Sequence, residues 1–161
     1  MTPKSLLRHK AAVSKLIDFG PGSSFHRVIP DRGNLVTGDK VRRVVLCSGK
    51  VYYDLAALRE TQEIKDVAVI RVEQLYPFPQ ASLADEIRKY PNAEIVWCQE
   101  EPANMGAWLF ADRRIEAMLI SMKHKVTRPR YVGRFEMAAT ATGLLRRHNR
   151  EQAALVEEAL S

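Results

Sequence analysis

From Val41 onward, short unbroken apolar runs alternate with stretches in which apolar positions recur every three or four residues. Val44-Val45-Leu46-Cys47, Val67-Ala68-Val69-Ile70 and Ile95-Val96-Trp97-Cys98 contain no polar position. Runs of this kind mark strands buried on both faces. Between the first two, Val51, Leu55 and Leu58 fall on one helical face, with Lys50, Asp54, Arg59 and Glu60 on the others. Leu83, Ile87 and Tyr90 predict a second helix, ended by Pro91-Asn92, and Trp108, Ile115, Leu119 and Met122 a longer third. Tyr131-Val132 predicts a short fourth strand and residues 142–160 a terminal helix. Tyr76-Pro77-Phe78-Pro79 forbids regular structure. The runs begin 23 and 28 residues apart, which leaves room for crossover helices between parallel strands. Right-handed crossovers then give an α/β three-layer sandwich with a mostly parallel central sheet and helices on both faces.

Residues 1–40 lack any sustained period. Pro3, Gly20, Pro21, Gly22, Pro30, Gly33 and Gly38 punctuate them, and one short helical stretch is expected at residues 5–17. A connecting segment this long without its own core is unusual in a compact domain. The chain therefore divides into a linker, 1–40, and an α/β domain, 41–161. Charge sharpens the division. Residues 1–43 hold 9 Lys+Arg against 3 Asp+Glu, and residues 44–161 hold 16 of each, so the net +6 sits in the lead-in. A basic lead-in suits an anion or an acidic surface, and equally a solvated linker.

The 161 residues, 46% hydrophobic and 27% charged, fit a soluble globular domain. No run approaches the ~20 apolar residues of a membrane helix, and no secretory h-region follows Met1. Cys47 and Cys98 lie inside apolar runs and are expected as buried, reduced thiols. His9, His26, His124 and His148 have no metal-ligand spacing.

Ligands of open α/β sheets collect beyond the carboxyl ends of the strands. Three loops qualify here: Ser48-Gly49-Lys50, residues 74–79 and residues 99–106. The first offers free N–H groups and the Lys50 charge to an anion; alternatively Ser48 caps the helix and Gly49 eases the turn. In the third, Glu100 and Glu101 suggest an acid/base pair. Adjacent residues of an extended chain point to opposite sides, however, which disfavours a facing pair. The structural alternative has Pro102 ending the strand, Asn104 capping the next helix and a carboxylate near its start, worth roughly 0.3–1 kcal/mol. A third possibility places one glutamate at a domain boundary. No GxSxG, CxxC, HExxH or Walker loop occurs, so no catalytic residue is assigned. Arg146, Arg147 and Arg150 form a basic cluster, expected as a solvated helix face.

VVLCSGKVYYDL, VAVIRVEQLYPFP and VWCQEEPANMGAW, in that order, closely resemble the C-terminal domain of the thiamine-dependent first component of 2-oxoglutarate dehydrogenase. TPKSLLRHKAAVS resembles the segment leaving that enzyme's pyrimidine-binding domain, and RYVG followed by ATATG resembles the end of the family domain. Phe135-Glu136-Met137 stands where the family has a proline-containing Gly-Arg-Pro run.

The resemblance implies a transketolase C-terminal-like fold and a place in oxidative decarboxylation of 2-oxoglutarate in the tricarboxylic acid cycle, within a multienzyme complex. The succinyl group would pass to a lipoyl arm of the dihydrolipoyl succinyltransferase component. Thiamine diphosphate and magnesium would be held by other domains of a homodimer, since no Gly-Asp-Gly signature occurs here. The chain is then one piece of a longer polypeptide, inert alone, in a bacterial cytoplasm or a mitochondrial matrix. The resemblance also implies a nucleotide-type or acetyl-CoA effector near the domain junction, for which Arg8, Lys10, Ser14, Lys15, Ser48 and Lys50 are candidates. Glu100, Glu101 and Asn104 are candidates for the domain interface. The same domain of 2-oxoadipate dehydrogenase and a stand-alone anion-binding module are the alternatives. Nucleic acid is not an expected partner, because the domain is neutral and lacks interleaved aromatic and basic residues.

Overall fold

The computed structural model describes residues 3–161. Five strands, β1 (Val28–Ile29), β2 (Arg43–Cys47), β3 (Val67–Val72), β4 (Glu94–Pro102) and β5 (Arg130–Arg134), form one sheet in the order β1-β3-β2-β4-β5. β2, β3, β4 and β5 run parallel, and β1 pairs antiparallel with β3. The helices are α1 (Val51–Thr61), α2 (Gln80–Ile87), α3 (Trp108–Ser121) and α4 (Leu145–Leu160).

The unbroken apolar runs have a direct cause. Successive strand residues point to opposite faces, and both faces are covered. Val44, Leu46, Ala68, Ile70, Ile95 and Trp97 pack with Leu83 and Ile87 of α2 and Ile115 and Leu119 of α3. Val45, Cys47, Val67, Val69, Val96 and Cys98 pack with Leu55 of α1 and Leu155, Val156 and Leu160 of α4. Three layers result, with α2 and α3 on one side and α1 and α4 on the other. β3 and β4 flank β2 on opposite sides, so the chain reverses direction across the sheet at β2. That reversal opens a crevice at the strands' carboxyl ends.

The lead-in departs from expectation in two places. No helix spans residues 5–17; two short 3-10 turns, Lys4–Leu6 and Leu16–Phe19, stand there instead. A helix this short is marginal without a packed face, and Val13, Leu16 and Ile17 are exposed. Residues 28–41 are also more than a connection, since they close one edge of the sheet. β1 supplies the antiparallel edge, and Leu35 and Val36 pack against the core. The nearly inaccessible Asp31 carboxylate pairs with Arg59 and accepts the Val69 N–H at 2.6 Å. A two-residue strand is too short to show a period, so β1 left no trace in the hydrophobic pattern. Two of the nine basic residues of the lead-in, Arg42 and Arg43, belong to the domain itself: Arg42 pairs with Asp66 at 2.9 Å and Arg43 with Glu94 at 2.7 Å.

Candidate functional site at the carboxyl ends of the strands

The three loops singled out by position converge. Ser48, Gly49 and Lys50, Leu75 and Tyr76, and Gln99, Glu100, Glu101 and Gly106 line one groove of about 540 Å³, with Pro3, Trp97 and Phe110 completing its walls. Gly49 has φ +74°, a conformation that favours glycine, and lets β2 turn directly into α1. Ser48 does not cap that helix, contrary to expectation. The N-cap position falls to Lys50, with no side-chain cap bond.

Gln99 organises the third loop. Period two places it on the Trp97 face of β4, facing the start of α3. Its amide oxygen accepts the Trp97 indole N–H at 3.0 Å and the Trp108 backbone N–H at 2.9 Å. Its amide nitrogen donates to the carbonyls of Pro102 at 3.1 Å and Met105 at 2.7 Å. The buried Gln99 therefore occupies the role foreseen for Asn104, satisfying a free N–H at the start of α3. Asn104 instead clamps the loop after β5, donating to the Met137 carbonyl at 3.1 Å and accepting its N–H at 3.2 Å. Gly106 has φ +67°, and a Cβ there would sit 2.9 Å from Glu101 Cβ and 3.0 Å from Gln99 Nε2.

Glu100 and Glu101 diverge, as alternation requires. Glu100 pairs with Lys50 at 2.8 Å. Glu101 is exposed, and its backbone carbonyl accepts the Tyr131 hydroxyl at 3.1 Å. Burial first, then neighbouring negative charge, pushes the Tyr131 hydroxyl up to about 12. The Glu100 backbone carbonyl accepts a hydrogen bond from Arg134, which is 8% exposed. Arg134 also reaches Gln152 Oε1 at 2.9 Å and Glu151 Oε2 at 3.1 Å. Gln152 donates to Asp54 at 2.8 Å, and Asp54 lies 3.8 Å from Lys50. Lys50, Glu100, Arg134, Gln152 and Asp54 thus close a ring of polar contacts joining the ends of β2, β4 and β5 to α1 and α4.

The sequence pattern assigned no role to Gln99, Arg134 or Gln152. A polar residue two positions beyond Trp97 on a doubly buried strand was the one available signal for Gln99. For Arg134 and Gln152, the partners lie 34 and 98 residues away in the chain.

The six effector candidates do not form one cluster. Ser48 and Lys50 line the groove, and Lys50 is matched by Glu100 and Asp54. Ser14 lines a separate cleft of about 520 Å³ with Arg32, Tyr52, Tyr53 and Arg71. Arg8, Lys10 and Lys15 are exposed. The segment does lie across α1, with the His9 ring 5.1 Å from that of Tyr53. The residues of the groove do not fit thiamine diphosphate. Among the described residues its one cation is already paired, Glu101 adds a further negative charge, and a diphosphate would meet no net positive charge there.

A family model described as 2-oxoglutarate dehydrogenase C-terminal matches residues 13–160. The chain belongs to that family. It is 52% identical, over 168 aligned residues and 99% of its length, to the 2-oxoglutarate dehydrogenase E1 component of Brucella abortus strain S19. The E1 components of Brucella ovis and Brucella suis biovar 1 match to the same extent. The chain spans 17% of the length of these relatives. Among solved structures, it is similar to a split-gene transketolase, an inactive beta4 tetramer, with a TM-score of 0.49 at 18% identity over 88% of this chain and 44% of that one. Among the described residues, no helix is long and apolar enough to cross a membrane.

Proposed function

We propose that this 2-oxoglutarate dehydrogenase C-terminal domain is a scaffold within a longer thiamine-dependent enzyme that oxidatively decarboxylates 2-oxoglutarate. The observation that carries the proposal is the 52% identity, across nearly the whole chain, to E1 components six times its length. The similarity to 2-oxoglutarate dehydrogenase E1 components favours 2-oxoglutarate over 2-oxoadipate. Thiamine diphosphate with magnesium, held by other domains of a homodimer, supplies the decarboxylation chemistry when bound. The succinyltransferase component of the complex takes the acyl group. The residues of this chain hold the β2, β4 and β5 ends in register through Gln99 and the Arg134-centred ring. Glu100 and Glu101 are structural members of that end.

An anionic, nucleotide-type effector is best supported in the Ser14 cleft. There the Arg71 guanidinium lies 4.3 Å from the Tyr52 ring centroid, and its buried Nε, which has no hydrogen-bond partner, lies 3.7 Å from the Glu73 carboxylate in the same cleft. In the full-length enzyme, Arg71→Gln is expected to remove an effector response that Lys50→Gln leaves in place. For the main proposal, the full-length polypeptide is assayed with 2-oxoglutarate, thiamine diphosphate and magnesium beside this chain alone. Turnover is expected from the first and none from the second; turnover by the chain alone would overturn the scaffold role.

A further inference from the structure

Arg134 has one further partner, outside the ring. A terminal guanidinium nitrogen donates to Nδ1 of the half-buried His148 at 3.3 Å. A guanidinium only donates hydrogen bonds and keeps its charge at any ordinary pH. Nδ1 must therefore present its lone pair, so His148 is neutral in this arrangement. The other groups that bond Arg134 are a carbonyl, an amide and a carboxylate. Of the four, only an imidazole changes charge between about pH 5 and pH 8.

A proton on Nδ1 would turn the acceptor into a donor and set two cations face to face. The surroundings oppose that proton as well. β5 supplies Arg134, and the first turns of α4 supply Arg146, Arg147, Arg150 and Glu151. The end of β4 supplies Glu100, and α1 with its N-cap supplies Lys50 and Asp54. The three carboxylates are already engaged: Glu151 by Arg134 and Arg147, Glu100 by Lys50, and Asp54 by Lys50 and Gln152. Arg146 and Arg150 are exposed and, among the described residues, form no ion pair. His148 also stands in the first turn of α4, where the helix dipole disfavours a positive charge.

A released guanidinium has another place to go. Arg134 also lines a cleft of about 550 Å³ between α4 and the segment after β5, together with Phe135, Glu136, Met137 and Arg150. Glu136 is exposed and, among the described residues, carries no ion pair, so the cleft holds a free carboxylate.

We infer that His148 is an acid-sensitive latch on Arg134: neutral, it holds the guanidinium in the ring; protonated, it releases the guanidinium toward the Glu136 cleft and loosens the end of β4 from α4. The same guanidinium holds the Glu100 carbonyl, and Glu100 lines the groove, so the release reaches the groove wall.

Hydrogen exchange of the full-length polypeptide, read by mass spectrometry, tests the latch without requiring turnover and so separately from the proposed activity. Exchange at about pH 8 and about pH 5.5, on either side of the range in which imidazoles titrate, is compared as protection relative to the unfolded peptides at the same pH. In wild type, residues 97–106 and 145–155 are expected to lose about tenfold in protection at the lower pH, the order set by one hydrogen bond to a charged group. His148→Asn puts an amide oxygen near the place of Nδ1 and does not titrate, so its loss should stay within about twofold. α2 (Gln80–Ile87), on the opposite face of the sheet, should keep its protection in both. Equal loss in wild type and His148→Asn assigns the acid response to other groups and overturns the latch. A wild type that keeps full protection at the lower pH overturns it too, as does a loss shared equally by α2. Should His148→Asn fail to fold, His148→Gln, whose amide also accepts without titrating, is read by the same criteria.

Discussion

At the amino ends of the parallel strands, Arg42 donates to the carbonyl of Leu160 at 2.7 Å, and Arg43 to those of Glu158 and Ala159 at 3.2 and 3.1 Å. Glu94 joins Arg43 to Arg130, both at 2.7 Å. The cations satisfy the last carbonyls of α4 and complement its dipole. At the carboxyl ends, a neutral amide, Gln99, ties β4 to the start of α3, and a separate ring of polar contacts links Lys50, Glu100, Arg134, Gln152 and Asp54. The first arrangement closes the sheet. The second leaves a groove with Tyr76 and Phe110 in its walls. Similar side chains therefore seal one end and hold the other open, and the difference lies in which helix terminus each end meets.

The comparison breaks most severely at Arg134. Arg134→Met opens the ring and leaves Gln152 Oε1 and the Glu100 carbonyl without their partner, while Glu151 keeps Arg147; a loss of about 3–5 kcal/mol is expected in urea unfolding. Next comes Gln99→Leu, which deprives the Trp97 and Trp108 N–H groups and two carbonyls of partners at once, for about 2–3 kcal/mol. At the opposite end, Arg43→Leu should cost about 1–3 kcal/mol, since it removes charged hydrogen bonds to both Glu94 and the end of α4. If Arg43→Leu proved as costly as Arg134→Met, the two ends would be equally constrained and the contrast between them would fail.

Acid titration sharpens the same contrast. Burial pushes the Glu94 carboxyl up, but hydrogen bonds and charge from Arg130 and Arg43 prevail and hold it below the usual 4.5. A carboxylate whose folded value is depressed stabilises the fold above its unfolded value, and that stability is lost as pH falls through the folded one. Glu94→Gln is therefore expected to flatten the decline of stability below about pH 4.5, read from unfolding midpoints across an acid series. The smallest effect concerns the thiols. Burial, followed by the charges of Glu100 and Glu158, pushes Cys98 up to about 12, and burial pushes Cys47 up as well. Both thiols should resist a thiol reagent in the native state and react on unfolding.

The sandwich was legible because doubly buried strands leave unbroken apolar runs and the helices between them keep their period. The groove was legible by position alone, as the meeting point of three loops beyond the strand ends. The divergence of Glu100 and Glu101 followed from alternation. The ring was not legible, because Asp54 and Gln152, or Glu100 and Arg134, become neighbours only once the strands are ordered. Ser48 and Asn104 were given capping roles on composition; the backbone of the first loop and the reach of Gln99 decide otherwise. The lead-in misled twice. The helix expected at 5–17 is absent and its apolar residues are exposed, and its edge strand is too short to leave a pattern.

Central to the scaffold role is that the adjacent Glu100 and Glu101 are structural. Glu100→Gln/Glu101→Gln in the full-length enzyme tests this directly through kcat for 2-oxoglutarate. Turnover within about threefold of wild type is expected, since loss of the Lys50 ion pair costs only about 1 kcal/mol of local stability. A fall of a hundredfold or more, on the order of what removal of a general acid or base produces, would contradict it.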